Sequence, residues 1–128
     1  MSLLIPVSAG ELLDKLTILL IKKERIADTA KLENIIMELS QLQAVYNQSI
    51  KQSAELDALI SELRLVNGAL WDIEDKIRGR EKGRDFGTVF IELARSVYKT
   101  NDRRAELKYQ INELLGSELV EEKSYEAY

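Results

Sequence analysis

Two adjacent rows of side chains between Leu63 and Arg78 constrain the fold more than any other feature of the chain. At about 100° per residue, Leu63, Val66, Leu70, Ile73 and Ile77 fall on one apolar stripe of a helix. Asn67, Trp71, Glu74 and Arg78 form a second row, roughly a quarter turn from the first. A helix lying on a protein surface turns its charges away from its apolar stripe. Here an amide, the only indole of the chain, a carboxylate and a guanidinium border the stripe instead, where neighbouring helices meet it. The stretch therefore requires helical partners, and it places polar chemistry at the seam with them.

The remaining segments supply those partners. One proline, six glycines and 45% hydrophobic residues among 128 suit a helical domain. Leu4–Val7 is a short extended lead-in, because Pro6 biases its predecessor away from helix. Ser8 and Glu11 have capping-box spacing, which starts a first helix at Ala9 and carries it to about Ala27. Leu12, Leu16, Leu19 and Ile26 make its main stripe, with Leu13, Ile18, Leu20 and Ile21 spread round the rest, the pattern of a central helix. Asp28-Thr29 caps a second helix from Ala30 to Tyr46 or Ser49, and the short link predicts an antiparallel hairpin. After Ser49 or Ser53 a third helix runs from Ala54 to about Gly79. Gly68 inside it fits either another helix packed close against it or a kink that places Trp71.

Gly79–Arg84 reads as a basic, glycine-punctuated loop, and Asp85 caps the helix after it. Phe86, Phe90, Leu93 and Val97 continue on one line through Asn101, Arg104 and Lys108 to Ile111 and Leu115. Either one long helix keeps a core-facing line that is polar for two turns, or the helix breaks near Thr100. Gly116 is a stop signal, and residues 117–128 form an acidic tail. The expected architecture is all-α: one domain over residues 1–128, a bundle of four to five helices with an N-terminal antiparallel helical hairpin and a long C-terminal helix.

Without cysteine or histidine, disulfides, thiolate chemistry, zinc sites and serine–histidine triads are excluded. No apolar run reaches the roughly 18 residues that suggest a membrane span, so a cytoplasmic protein with no membrane partner is expected. A net charge of −4 argues against a general nucleic-acid binder. The charge is uneven: residues 1–75 carry 7 basic and 12 acidic side chains, residues 76–112 carry 10 and 5, and the tail from Glu113 carries 1 and 5. A locally basic segment thus sits between two acidic ones, suited to an anionic ligand or to neutralisation within the chain.

Three polar rows border the apolar stripes: Glu11, Lys15, Lys22 and Arg25; Asn67, Trp71, Glu74 and Arg78; and Asn101, Arg104 and Lys108. Together they describe an inter-helix pocket for a small phosphate or carboxylate. Lys15, Lys22, Asn67, Trp71, Glu74, Arg78, Asn101, Arg104 and Lys108 are the candidate ligand-binding residues, with cations clamping the anion and the indole covering a flat face. A plainer use is structural, Glu74 pairing across helices with Lys15, Lys22 or Arg104. Arg104 is expected to point inward onto Glu74 or Glu11. A rival reading makes the chain an interaction protein. Helix one is apolar nearly all round, and a homodimer would cover what the other helices leave open. A third reading is enzymatic, with Glu11 and Asp14, helped by Asp72, Glu74 and Asp75, spaced like the magnesium-holding motifs of helical nucleotide pyrophosphohydrolases. Asp14, however, lies roughly 60° from Glu11 round the helix. No cofactor is called for.

The rows are similar in style to small helical chorismate mutases, which bind a dicarboxylate between helices through arginines and lysines. The stretches PVSAGELLDKLTIL, ALWDIEDKIR, DFGTVFIELARSVYKTNDRRAELK and INELLGSELVEEKSY resemble a family of short bacterial proteins built on a domain of unknown function. That resemblance spans most of the chain and implies a bacterial cytoplasmic protein whose tail belongs to the domain.

Overall fold

The computed structural model describes residues 1–128, with four helices and no strand. Local capping chemistry sets most of the helix ends. α1 (Ala9–Arg25) begins where the Ser8 hydroxyl accepts from the Glu11 N–H, 3.1 Å. Only half of the expected capping box forms, because the Glu11 carboxylate is committed to Lys108 on another helix. α2 (Thr29–Ser49) is capped by the Asp28 carboxylate, which accepts from the Lys31 N–H, and α3 (Ala54–Lys82) by the Ser53 hydroxyl. α4 (Thr88–Leu115) ends at Gly116, whose φ of 62° is the left-handed conformation that glycine adopts without a Cβ penalty.

Two boundaries of the long helices shift. α3 runs through Gly79 to Lys82, since a single glycine weakens a helix without ending it and the next glycine, Gly83, is the one that stops it. α4 starts at Thr88 rather than directly after Asp85, whose carboxylate instead holds the connecting loop by accepting from Gly87 N–H and pairing with Arg80. α4 then continues through Thr100 unbroken.

α1 is the element all the others share: α2, α3 and α4 each pack against it, and α3 and α4 also pack along each other. Leu12, Leu13 and Leu16 of α1 meet Tyr46 of α2, Leu56 and Leu63 of α3, and Leu107 and Ile111 of α4 in one core. Each fully buried leucine there contributes about 1.5–3 kcal/mol by leaving water. Gly10 permits the closest helix contact in the molecule. A Cβ at that position would lie 2.5 Å from the Lys108 carbonyl oxygen, and the Gly10 N–H donates to Asn112 Oδ1 at 2.6 Å.

Helix lengths then divide the molecule. α3 and α4 have 29 and 28 residues, about 43 and 42 Å, whereas α1 has 17, about 25 Å. α3 and α4 run back along one another, with Arg103 paired to Glu62 at one end and the connecting loop at the other. They outrun α1, and from Gly68 to Glu106 no residue is buried. The apolar stripe of α3 shows the transition: Leu63 is fully enclosed, while Val66, Leu70, Ile73 and Ile77 are only half-buried. We call this projecting part of α3 and α4 the arm, and the rest the base. The tail returns along α4: Glu121 meets Lys108, and the Tyr128 hydroxyl donates to Asp102 at 2.5 Å, its ring edge-on to Tyr98.

Candidate functional site

Where the arm leaves the base, α1, α3 and α4 bring a buried polar group together. Gly10, Asp14, Thr17 and Ile21 recur at helical spacing on α1 and are all buried, so this row faces α3 and α4. Asn67 of α3 is buried against it and donates from Nδ2 to Asp14 Oδ1 and to Thr17 Oγ1, both at 2.9 Å. The Thr17 hydroxyl donates in turn to the Asp14 carbonyl at 2.8 Å. A buried amide and carboxylate satisfied in this way fix the register of α3 on α1.

Two cations of α4 address Asp14 from opposite sides. Lys108 has only 7% of its side chain exposed; its Nζ lies 2.7 Å from Glu11, 3.0 Å from Glu121 and 3.9 Å from Asp14 Oδ2. Burial alone lowers the pKa of this ammonium, but the hydrogen bonds to Glu11 and Glu121 and the Asp14 charge outweigh it and hold it above the ordinary lysine value. The same bond to Lys108 holds the Glu121 carboxyl below its usual range. Arg104 differs. Its Nε approaches Asp14 Oδ1 only to 3.9 Å, its side chain is 27% exposed, and its guanidinium makes no hydrogen bond within the protein.

Arg104 opens into a cleft of about 410 Å³, with Asn67 at its floor, Ile18 and Leu70 as apolar contacts, and Trp71, Glu74, Asp75, Arg78 and Asn101 around it. Six of the nine residues singled out from the sequence therefore meet here: Asn67, Trp71, Glu74, Arg78, Asn101 and Arg104. Within it Arg78 donates from Nε to Glu74 at 3.1 Å, one turn away on the same helix, and Arg25 of α1 stacks 5.8 Å from the Trp71 ring while pairing with Asp72. A larger groove, about 1070 Å³, lies between α4 and the tail and shares Asn101 and Arg104 with the cleft.

Three candidates fall elsewhere. Lys15 is exposed and Lys22 half-buried, and neither lines the cleft. α1 turns its Asp14–Thr17–Ile21 row toward α3 and α4, which leaves Ile18 at the cleft edge and the two lysines a turn to either side. Lys108 is consumed by Glu11 and Glu121. The expected carboxylate partners of Arg104 are also corrected: Glu74 pairs with Arg78 and Glu11 with Lys108, so the nearest acid is Asp14. Gly68 has no helix packed on it, only the Arg25 guanidinium 3.6 Å from where a Cβ would sit, and α3 runs through it unbroken. No three acidic side chains converge on a point where they could hold a metal ion. Thr17 went unnamed in the sequence, and Asp14, weighed there only as a magnesium ligand, turns out to be the partner of Asn67. Their signal is the Gly10–Asp14–Thr17–Ile21 row, a polar pair in register with a glycine.

The chain belongs to a family of unknown function, DUF6165, whose model matches residues 3–128. No curated protein and no solved structure matches it.

Proposed function

We propose that this protein binds a small anionic metabolite, a phosphate or carboxylate, in the cleft between α1, α3 and α4. The observation that carries the reading is Arg104. Its guanidinium stands half-buried at the cleft wall with all its hydrogen-bond donors uncommitted and its nearest acid beyond hydrogen-bond distance. Such a fork matches the two oxygens of a carboxylate or phosphate, and partial burial strengthens the contact relative to open water. Asn101 stands beside it with a free amide, Trp71 offers an apolar face, and Arg78 adds positive charge at the rim, braced by Glu74. The cleft volume lies in the range of small-molecule sites. Asn67, spent on Asp14 and Thr17, shapes the floor. The same proposal places the protein in the bacterial cytoplasm, which the sequence resemblance supports.

The test is a titration of Trp71 fluorescence, backed by calorimetry, with inorganic phosphate, phosphorylated metabolites and dicarboxylates. Saturable binding is expected, and Arg104→Ala should abolish it while changing stability by less than about 1 kcal/mol, because the partly exposed guanidinium is only loosely paired. Silence from all three classes of anion, or a large stability loss in Arg104→Ala with binding retained, would contradict the reading.

A further inference from the structure

A compact monomer of 14.6 kDa exposes roughly 6,900 Å². This chain exposes 9080 Å², about 2,200 Å² more. The extended residues 1–7 and 117–128 carry part of that excess, and the arm carries part, since two helices share a single seam there and no third layer closes it. Phe86, Val89 and Ile91 are about half exposed near its tip. Beside them Lys82 and Arg84 have no acidic partner, and Glu81 alone there is an unpaired acid. The opposite end of the molecule carries the complement. Tyr109, Leu114, Leu119 and Val120 are exposed there, beside Glu118 and Glu122, which have no basic partner. The tip patch lies away from this tail: Lys108 and Asp102 hold residues 121–128 along α4, and Thr88 is about 14 residues, or 21 Å, further toward the tip.

We infer that the protein forms a two-fold dimer in which the basic, apolar arm of each copy lies against the acidic, apolar tail and α4 C-terminus of the other. A second copy is the occupant that supplies both the opposite charge and the apolar area. Two-fold symmetry uses each patch twice, so neither is left over and the assembly closes. Opposed charge patches set the antiparallel orientation of the two copies, and like charges would meet in a parallel alternative.

The experiment is sedimentation equilibrium of the full chain at micromolar concentration, with two charge-reversed variants. The chain should sediment at about twice its 14.6 kDa mass. Lys82→Glu with Arg84→Glu reverses the arm, and Glu118→Lys with Glu122→Lys reverses the tail. Each double variant alone should dissociate at least about tenfold more readily, since both contacts of its own dimer become repulsive. An equimolar mixture of the two should regain the dimer, because one contact is then reversed on both sides and the other on neither. All four positions are exposed and unpaired, and circular dichroism of each variant checks that its fold is kept. A chain that stays at 14.6 kDa, or a mixture that fails to reassociate, would overturn the inference. So would a monomer whose arm binds vesicles of anionic lipid.

Discussion

The base and the arm are built from the same two helices and the same residue types, yet they differ in how much of the apolar stripe they close. Leu63 and Leu107 in the base are fully enclosed, whereas Ile77 and Leu93 in the arm lie on the same kind of helical row and stay half-buried. The difference is α1. Where it crosses, three layers surround each side chain; beyond Asp72, the furthest point on α3 that a side chain of α1 is bonded to, only two helices remain. Helical period decides which side chains face a seam, and a third element decides whether that seam is dry. The candidate cleft sits at this boundary, packed enough to hold Arg104 in place and open enough to leave it free.

The comparison is most easily broken by truncating matched side chains. Leu63→Ala and Leu107→Ala should each destabilise the protein by about 2–5 kcal/mol in urea unfolding, with Ile77→Ala and Leu93→Ala costing about half of that or less. Equal losses would erase the distinction. Two glycines offer a contrast of sign. Gly10→Ala drives a methyl into the Lys108 backbone and should cost about 1–3 kcal/mol, whereas Gly68→Ala meets only a flexible arginine tip and should raise stability by up to about 1 kcal/mol. Thermal melts of the pair decide it. Asn67→Ala leaves the buried Asp14 carboxylate without its one close donor and should cost about 1–3 kcal/mol.

The smallest effect is on pH. Because Lys108 holds the Glu121 carboxyl below its ordinary value of 4.5, its contribution is complete above that pH and is lost as pH falls through the depressed value. The tail should therefore detach from α4 only in acid, seen as narrowing of the NMR resonances of residues 121–128. Glu121→Gln should remove that pH dependence.

Much of this was legible locally. Ser8, Asp28, Ser53 and Gly116 act within a turn of their own helices, and the Asn67–Trp71–Glu74–Arg78 row needs only helical geometry to share a face. That is why most of the cleft could be assembled from spacing. What spacing could not supply were contacts between helices far apart in sequence: Asn67 on Asp14, Lys108 on Glu11, and the Gly10 contact with the α4 backbone. Arg104 shows the limit. Its line on α4 pointed it inward, but its neighbour depended on which carboxylates other helices had already claimed.

Hydrogen exchange resolved along α3 and α4, at a concentration where sedimentation finds the monomer, tests the division of the molecule most directly. Local opening should be easiest where few apolar contacts hold a helix. The account predicts that amides of residues 73–82 and 89–100 exchange at least about tenfold faster than those of residues 56–67 and 104–112. Uniform protection along the full length of both helices would contradict it.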